Sequence, residues 1–502
     1  MRNPLGRAAA AMSTALVGAA LLAACSTSEA TTPPTSPHTP APEAKPAPQN
    51  TGPATLNTAR ERQSPGVVAA GGGDAPYNYA PAVMAERGRY RMWWCSQLGI
   101  ANPPGDDILL AESSSLDGGF IGPDGTPGTP VLAGNINGGF DGVHICDPSV
   151  IKVGGTYYMY YTAWGGEQVL GNTIAVASSP DGRVWNRPAK PIVVPSREIT
   201  RENVYGAGQP AAVYLDGWFY LMFTDTSARA AKDAGRGQFV LRATDAAFTT
   251  KVEALGPGGF EPVSDTNARL TTAADAFSAD LMWVDALNAF AIAYEADGGT
   301  RIIFWDKDFR NNPYRPVMLG GPWREGPGLV RRPDGHAVIP VDNPCETVPL
   351  DLIRGSREGS NGPTDLRHFG VDLTDVGACR DPATALRVLD GFAFPSPKRT
   401  IDVVLSGKLI RVDRRSVAEA LATHVFDFRV PALDKVPVAA VLSPGIPARR
   451  APGRGVGLVI DNELFMVPSP TVPERNSSQI LDITTEAWDH YDRGPNLIPA
   501  GR

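Results

Sequence analysis

The 502-residue chain has only five cysteines and six histidines. None of them falls in a CxxC or zinc-ligand spacing, and there is no HExxH, so a zinc ribbon and a zincin-type metal site are excluded. Charge is also sparse: 20% of residues are charged, the net charge is −7, and no Lys/Arg block occurs. A phosphate backbone is therefore a poor partner, and no nucleic acid is expected. A Gly-x-Ser-x-Gly elbow and a P-loop are both missing. Beyond the first 25 residues, no segment is long and apolar enough to span a bilayer.

Glycine and proline, by contrast, are abundant, at 53 and 47 residues. That suits an all-β protein with many tight turns. The chain opens with "MRNPLGRAAAAMSTALVGAALLAAC". Two arginines, a short apolar run and small residues make an export signal. Its end, "LAAC", looks like a bacterial lipobox, with Cys25 as the lipidated residue. This predicts an exported protein held on the bacterial cell membrane or outer membrane by an acyl anchor, without spanning it. Residues 26–60 are rich in Pro, Thr and Ala and read as a disordered tether. In an oxidising compartment Cys95, Cys146, Cys345 and Cys379 allow two disulfides, with Cys345–Cys379 the easier pairing.

From about residue 65 a repeat appears. Each copy is a short strand, a Gly-containing turn, an aromatic strand and a third strand. The copies start at "APAVMAERGRYRMWWCSQ", "DPSVIKVGGTYYMYYTAW", "QPAAVYLDGWFYLMFTDT", "DLMWVDALNAFAIAYEA" and "EGPGLVRRPDGHAVIPVD". A small sheet repeated at this period predicts a β-propeller over residues 61–390. Tyr158, Tyr160, Tyr220 and Phe223 fall where blade faces would stack. "SPGVVAAGG" near residue 65 is expected to pair with a C-terminal strand and close the ring. Residues 391–502 form a β-rich C-terminal region, with "IDVVLSGKLIRVD" and "GLVIDNELFMVPS" as hairpins. The ring thus has five blades plus an extension, or six or seven if these hairpins are blades.

In such a ring the strand starts converge on one mouth. Here they are Ala80, Asp147, Gln209, Asp280 and Glu325. Three of these are acids, which is what glycosidic hydrolysis asks for: one protonated carboxyl, one ionised carboxyl, and a neighbour able to raise the donor's pKa. Gln209, His144, Tyr79, Trp164 and Tyr205 are the candidate substrate-binding residues. His144 lines the channel or helps hold a structural ion there, or is an ordinary loop histidine. No other metal or cofactor is expected. Asp74, Asp141 and Glu202 lie just before strand starts and are further acids within reach of the mouth.

"DPSVIKVGGTYYMYYT", "EGPGLVRRPDG" and "SSPDGRVW" resemble segments of glycoside hydrolase family 43 and its five-bladed relatives. The resemblance covers roughly residues 70–345. It implies Asp147 as general base, Glu325 as general acid and Asp280 as the pKa-tuning acid. It also implies an arabinofuranose- or xylose-containing cell-wall glycan as substrate. Two departures stand out: Ala80 and Gln209 occupy starts where the pattern would have acids. They leave open a non-catalytic surface lipoprotein that binds glycan or protein.

Overall fold

In a computed structural model, residues 52–69, 77–97, 106–166, 171–358 and 362–498 are described. The export signal, Cys25 and Asp74 lie outside these residues. The chain is all-β, and residues 57–374 build five successive antiparallel units. Unit one comprises Asn78–Glu86, Arg89–Ser96, Asp107–Ser113 and Thr129–Leu132. Unit two comprises His144–Val153, Thr156–Trp164 and Thr173–Ser179. Unit three begins with Ala207–Leu215, Trp218–Asp225 and Gln238–Ala243, followed by a short hairpin over residues 253–262. Unit four comprises Ala279–Val284, Ala289–Ala296, Gly299–Trp305 and Val317–Gly320. Unit five comprises Gly328–Arg331, Val348–Glu358 and Pro363–Thr374, with Asn57–Gln63 as its outermost strand.

The period-2 pattern of the central strands explains how the units stack. In Thr156–Trp164, Tyr157, Met159, Tyr161 and Ala163 pack against unit one, beside Trp93 and Ile108. Tyr160 points the other way, into the core shared with Phe223 and Leu241 of unit three. Along Trp218–Asp225, Phe219, Leu221 and Phe223 join that same core, while Tyr220 and Met222 face Trp283 and Phe290 of unit four. Ala289, Ala291 and Ala293 then meet Leu350, Leu352 and Phe369 of unit five. Met92 and Trp94 of unit one meet Val330 and Ile353 of unit five. The five cores thus link the units in a cycle. The inner strands of each unit are largely buried on both faces, so they read as nearly continuous apolar runs.

Two-residue turns join the first hairpins of units one, two and three. Arg87-Gly88, Gly154-Gly155 and Asp216-Gly217 all have positive φ at both positions, as the turn that matches strand twist requires.

The two ends of the cycle meet twice. First, Val330 and Arg331 pair in parallel with Val83 and Met84. Second, Asn57–Gln63 adds to Pro363–Thr374. The tether read as reaching residue 60 therefore ends earlier. Arg60 pairs with Asp372, and Arg62 pairs with Asp351 and Asp372 at 2.7 and 2.8 Å; these ion pairs hold the strand, which its polar sequence did not advertise. The segment near residue 65 does contribute, through an Ala69–Leu366 bridge. Its partner is an internal strand, not one at the C-terminus. "GHAVIPVD", expected as the second strand of the fifth repeat, forms only isolated bridges at His336 and Ala337. His336 is instead buried between Asp285 and the Tyr214 carbonyl.

Beyond Thr374 come two further five-stranded sheets. Each is an antiparallel three-stranded meander flanked on both sides by a parallel strand. Short helices, Arg415–Leu421 and Thr471–Arg475, follow the third meander strand in each. The two share one core, from Val403 and Ile410 to Leu458 and Phe465. They repeat each other's plan and not that of the five units. The cysteines pair as Cys95–Cys146, between units one and two, and Cys345–Cys379, beneath the C-terminal region.

Candidate active site

Four of the five first strands open with the same backbone device. Ala80, Asp147, Gln209 and Gly326 all have φ between 47° and 62°, and each precedes a proline. In units one to three the ladder also shifts register there. Such a bulge re-aims a side chain out of the strand's alternation. In unit five the bulged position is Gly326, so Glu325 stands one residue earlier than the equivalents of Asp147 and Gln209. A Cβ on Gly326 would lie 2.6 Å from Ala80 Cα, so only glycine allows this approach.

Above these bulges lies a cavity of about 470 Å³, lined by Tyr79, His144, Asp147, Trp164, Tyr205, Gln209 and Glu325, with Gly171, Asn172 and Val204 at its edge. The structure thus brings together two of the three candidate acids and all five candidate binding residues. Inside it, the Gln209 side-chain amide donates to Glu325 Oε1 at 2.9 Å. The Tyr205 hydroxyl donates to Asp147 Oδ2 at 3.0 Å. The Thr162 hydroxyl accepts from the Gln209 N–H at 2.8 Å. Tyr205 is itself held edge-on against Phe277, with ring centroids 4.9 Å apart. Asp147 Oδ1 and Gln209 Oε1 are buried with no protein hydrogen-bond partner.

The two carboxyls sit in different electrostatic surroundings. Burial, then the charge of Asp147, pushes Glu325 up to about 7, against the Gln209 amide. Burial also raises Asp147, but His144, Thr162 and Tyr205 all favour its ionised form. His144 Nδ1 lies 2.6 Å from Asp106 Oδ2. Burial opposes the imidazolium, yet Asp106, Asp147 and Asp107 together raise its pKa. The Tyr79 hydroxyl also donates to Asp106, at 3.3 Å. Burial and the nearby carboxylates keep Tyr79 and Tyr205 neutral, as donors. Behind Glu325, burial pushes Glu295 up to about 8.

Asp280 does not reach this cavity. It lines a much smaller space below, about 30 Å³ and so sized for a water, which it shares with Ala80, Asp147, Gln209 and Gly326. Its oxygens accept from the backbone N–H of Leu281 and Leu329, both at 2.8 Å, and it pairs with Arg331 at 3.2 Å. Burial pushes the Asp280 carboxyl up, against Arg331 and those two N–H groups. The charges that raise Glu325 are those of Asp147, Glu358 and Asp106. Arg331, 2% exposed, also donates to the carbonyls of Ala212 and Leu281, at 3.0 and 2.7 Å. A guanidinium thus supplies positive charge in the channel, where a structural ion was considered.

Of the loop acids, Asp141 is tied to Arg187 at 2.7 Å, and Glu202 is exposed outside the first cavity. Sequence reasoning missed Asp106, Thr162 and Arg331. Asp106 had one signal, the acidic pair Asp106-Asp107 at a strand start. Cys95, Asp106 and Cys146 come close together, but both sulfurs belong to the disulfide.

No family model and no curated protein sequence matches the chain. Solved structures to which it is similar include glycoside hydrolases. One is Zg3597, a family 117 glycoside hydrolase of the marine bacterium Zobellia galactanivorans, at 14% identity and TM-score 0.44, covering 64% of this chain and 92% of that one. Another is the α-L-arabinofuranosidase PaAbf62A of Podospora anserina, at 13% identity and TM-score 0.40, covering 65% and 99%. A third is the catalytic domain of a Coprinopsis cinerea family 62 α-L-arabinofuranosidase, at 13% and 0.38, covering 64% and 98%.

Proposed function

We propose that this protein is a five-bladed propeller that hydrolyses glycosidic bonds, with Glu325 as general acid and Asp147 as general base. One observation carries the reading. Two carboxyls from different units line one cavity, both raised by burial, and only Asp147 has a histidine and two hydroxyls beside it that favour the ionised form. Glu325, raised to about 7 by burial and by Asp147, keeps a proton to give to the leaving oxygen. Burial raises Asp147 as well, but from the lower carboxylate value, and His144 and two hydroxyls work against that rise. Its Oδ1, without a protein partner, is the oxygen left to take a proton from water or to attack. Tyr79, Tyr205 and Trp164 supply aromatic walls suited to a sugar ring. The proposed substrate, an arabinofuranose- or xylose-containing glycan, follows from the family 43 resemblance of the quoted motifs.

Export and a lipid anchor at Cys25 belong to the same proposal. Two disulfides suit an oxidising compartment. Radiolabelled palmitate incorporated by the wild type and not by Cys25→Ala is the expected result.

A binding-only reading has one observation in its favour: the Gln209 amide stabilises ionised Glu325, which lowers the fraction that carries the proton an acid must give. The test is turnover of aryl arabinofuranosides and xylosides by the wild type, Glu325→Gln and Asp147→Asn. Hydrolysis is expected to fall at least about 100-fold in each variant. Glycan binding by the wild type without turnover would establish the binding-only reading instead.

A further inference from the structure

Each first strand starts at the mouth and runs away from it. The loops before the first strand and after the second therefore lie on the mouth face. A second cavity, of about 950 Å³, opens on that face, with walls from three such loops. Arg201, Glu202 and Asn203 precede the first strand of unit three, Lys232 and Asp233 follow its second strand, and Asp275 precedes unit four. The two cavities share one wall, since the chain passes from Asn203 in the second to Val204 and Tyr205 in the first. Val204, 70% exposed, crests the ridge between them.

That ridge is built to stay in place. Arg201 donates to the carbonyls of Thr226, Ala228 and Ala231, at 2.8, 2.6 and 3.1 Å. Asn203 donates to the Ala234 carbonyl at 3.1 Å and accepts from the Tyr205 N–H at 3.1 Å. These bonds lock the ridge to the opposite wall and, through Tyr205, to Asp147. Asp275 pairs with Arg236 at 3.2 Å, and, Arg201 apart, the other charged side chains facing the space are unspent. Among the described residues, Glu202, Lys232 and Asp233 make no ion pair and no side-chain hydrogen bond. Their charges are of mixed sign, and no aromatic residue lines the space. Such a wall suits a neutral, hydroxyl-rich chain better than a polyanion or an apolar peptide.

We infer that this second cavity is a carbohydrate subsite, holding further sugars of a glycan that crosses the Val204 ridge from the bond at Asp147 and Glu325. The inference rests on the glycosidase reading of the first cavity and narrows its substrate to a chain rather than a single glycoside. Glu202 and Lys232 then act as hydrogen-bonding groups from opposite walls, remote from the reacting atoms.

The experiment compares the full chain with a Glu202→Ala/Lys232→Ala variant, both sites being exposed. The substrates are an aryl monoglycoside and a linear oligosaccharide of the same sugar. The expected result is a roughly ten-fold loss of kcat/KM on the oligosaccharide with the aryl glycoside unchanged, the size of two lost solvent-exposed hydrogen bonds at the low end of their usual worth. Equal losses on both substrates, or none on either, overturn the inference. If the wild type turns over neither substrate, the glycosidase reading fails by itself. Calorimetric binding of the oligosaccharide then decides the subsite: about ten-fold weaker binding by the variant upholds it, and absent or equal binding overturns it.

Discussion

Asp280→Asn separates two roles for one residue: a pKa-tuning acid of the mouth, or a structural clasp beneath it. Asp280 accepts from two backbone N–H groups, one on each oxygen, and pairs with buried Arg331. An asparagine has a single acceptor oxygen. One of the two N–H groups must then face an amide NH₂, and Arg331 loses its carboxylate. Breaking a buried ion pair from one side costs about 3–5 kcal/mol. For a cooperative unit the size of the five-unit cycle, the unfolding entropy is roughly 0.7 kcal/mol per degree. The expected drop in Tm is therefore about 4–7 °C. Calorimetry of the wild type, Asp280→Asn, Arg331→Met and the double variant measures it. The double variant, which leaves no unpaired charge, should recover part of the loss. At a temperature where all four remain folded, the alkaline limb of the pH–rate profile should not move in Asp280→Asn. An unchanged Tm together with a shifted limb would refute the clasp and restore the tuning role.

Gln209→Ala removes a donor that favours ionised Glu325, so the acid's pKa should rise above about 7 and the alkaline limb of the pH–rate profile should shift upward. His368 bridges Asp117 and Asp351, at 2.9 and 2.7 Å, beneath the strand Asn57–Gln63. Its pKa is raised against burial by those two carboxylates, so its stabilisation is complete below the unfolded value of about 6.5 and is lost as pH climbs through the folded value. Melting curves across that interval should show Tm falling with pH in the wild type, and falling less in His368→Gln. Replacing both Cys95 and Cys146 by serine opens a loop with a sequence separation of 51 residues. The expected loss is roughly 4 kcal/mol by chain entropy, read from denaturant midpoints. A chain starting after Gln63 exposes the edge of Pro363–Thr374 and should aggregate, by light scattering, where one starting at Gly52 does not.

The stacking of the units was legible because the inner strands are buried on both faces. "TYYMYYTAW" carries its whole plan in alternation: odd positions face unit one, and Tyr160 faces unit three. The first three hairpin turns were equally plain, since each needs glycine at a positive φ. What failed was local pattern without long-range pairing. Nothing in "TARERQ" shows that its arginines meet Asp351 and Asp372 some 300 residues away. "GHAVIPVD" alternates like a strand, but His336 is drawn into a buried cluster with Asp285 and Arg332. In the C-terminal region the meanders were visible as hairpins. Their parallel partners, as short as His424–Val425, are too brief to show any periodicity.

The mouth illustrates why a motif and a site are different things. An acid before a proline at a strand start looks like chemistry, yet the same left-handed bulge occurs at Ala80, Gln209 and Gly326. At a residue other than glycine that conformation costs on the order of 1–3 kcal/mol, and it recurs at Ala80 and Gln209, where no acid stands, so that strain serves the architecture. The bulge only delivers a side chain to the axis; which residue occupies it decides what is delivered. Asp147 gains its claim from neighbours the motif does not contain. His144, held by Asp106, favours the ionised form of Asp147, Tyr205 and Thr162 supply hydroxyls, and Glu325 comes from a different unit. Glu325 reaches the cavity because the bulge beside it is a glycine, whose missing Cβ lets the chain close on Ala80. The alanine that looked like a lost acid is thus the surface against which unit five packs, and a larger residue at either position would move Glu325 away from Gln209.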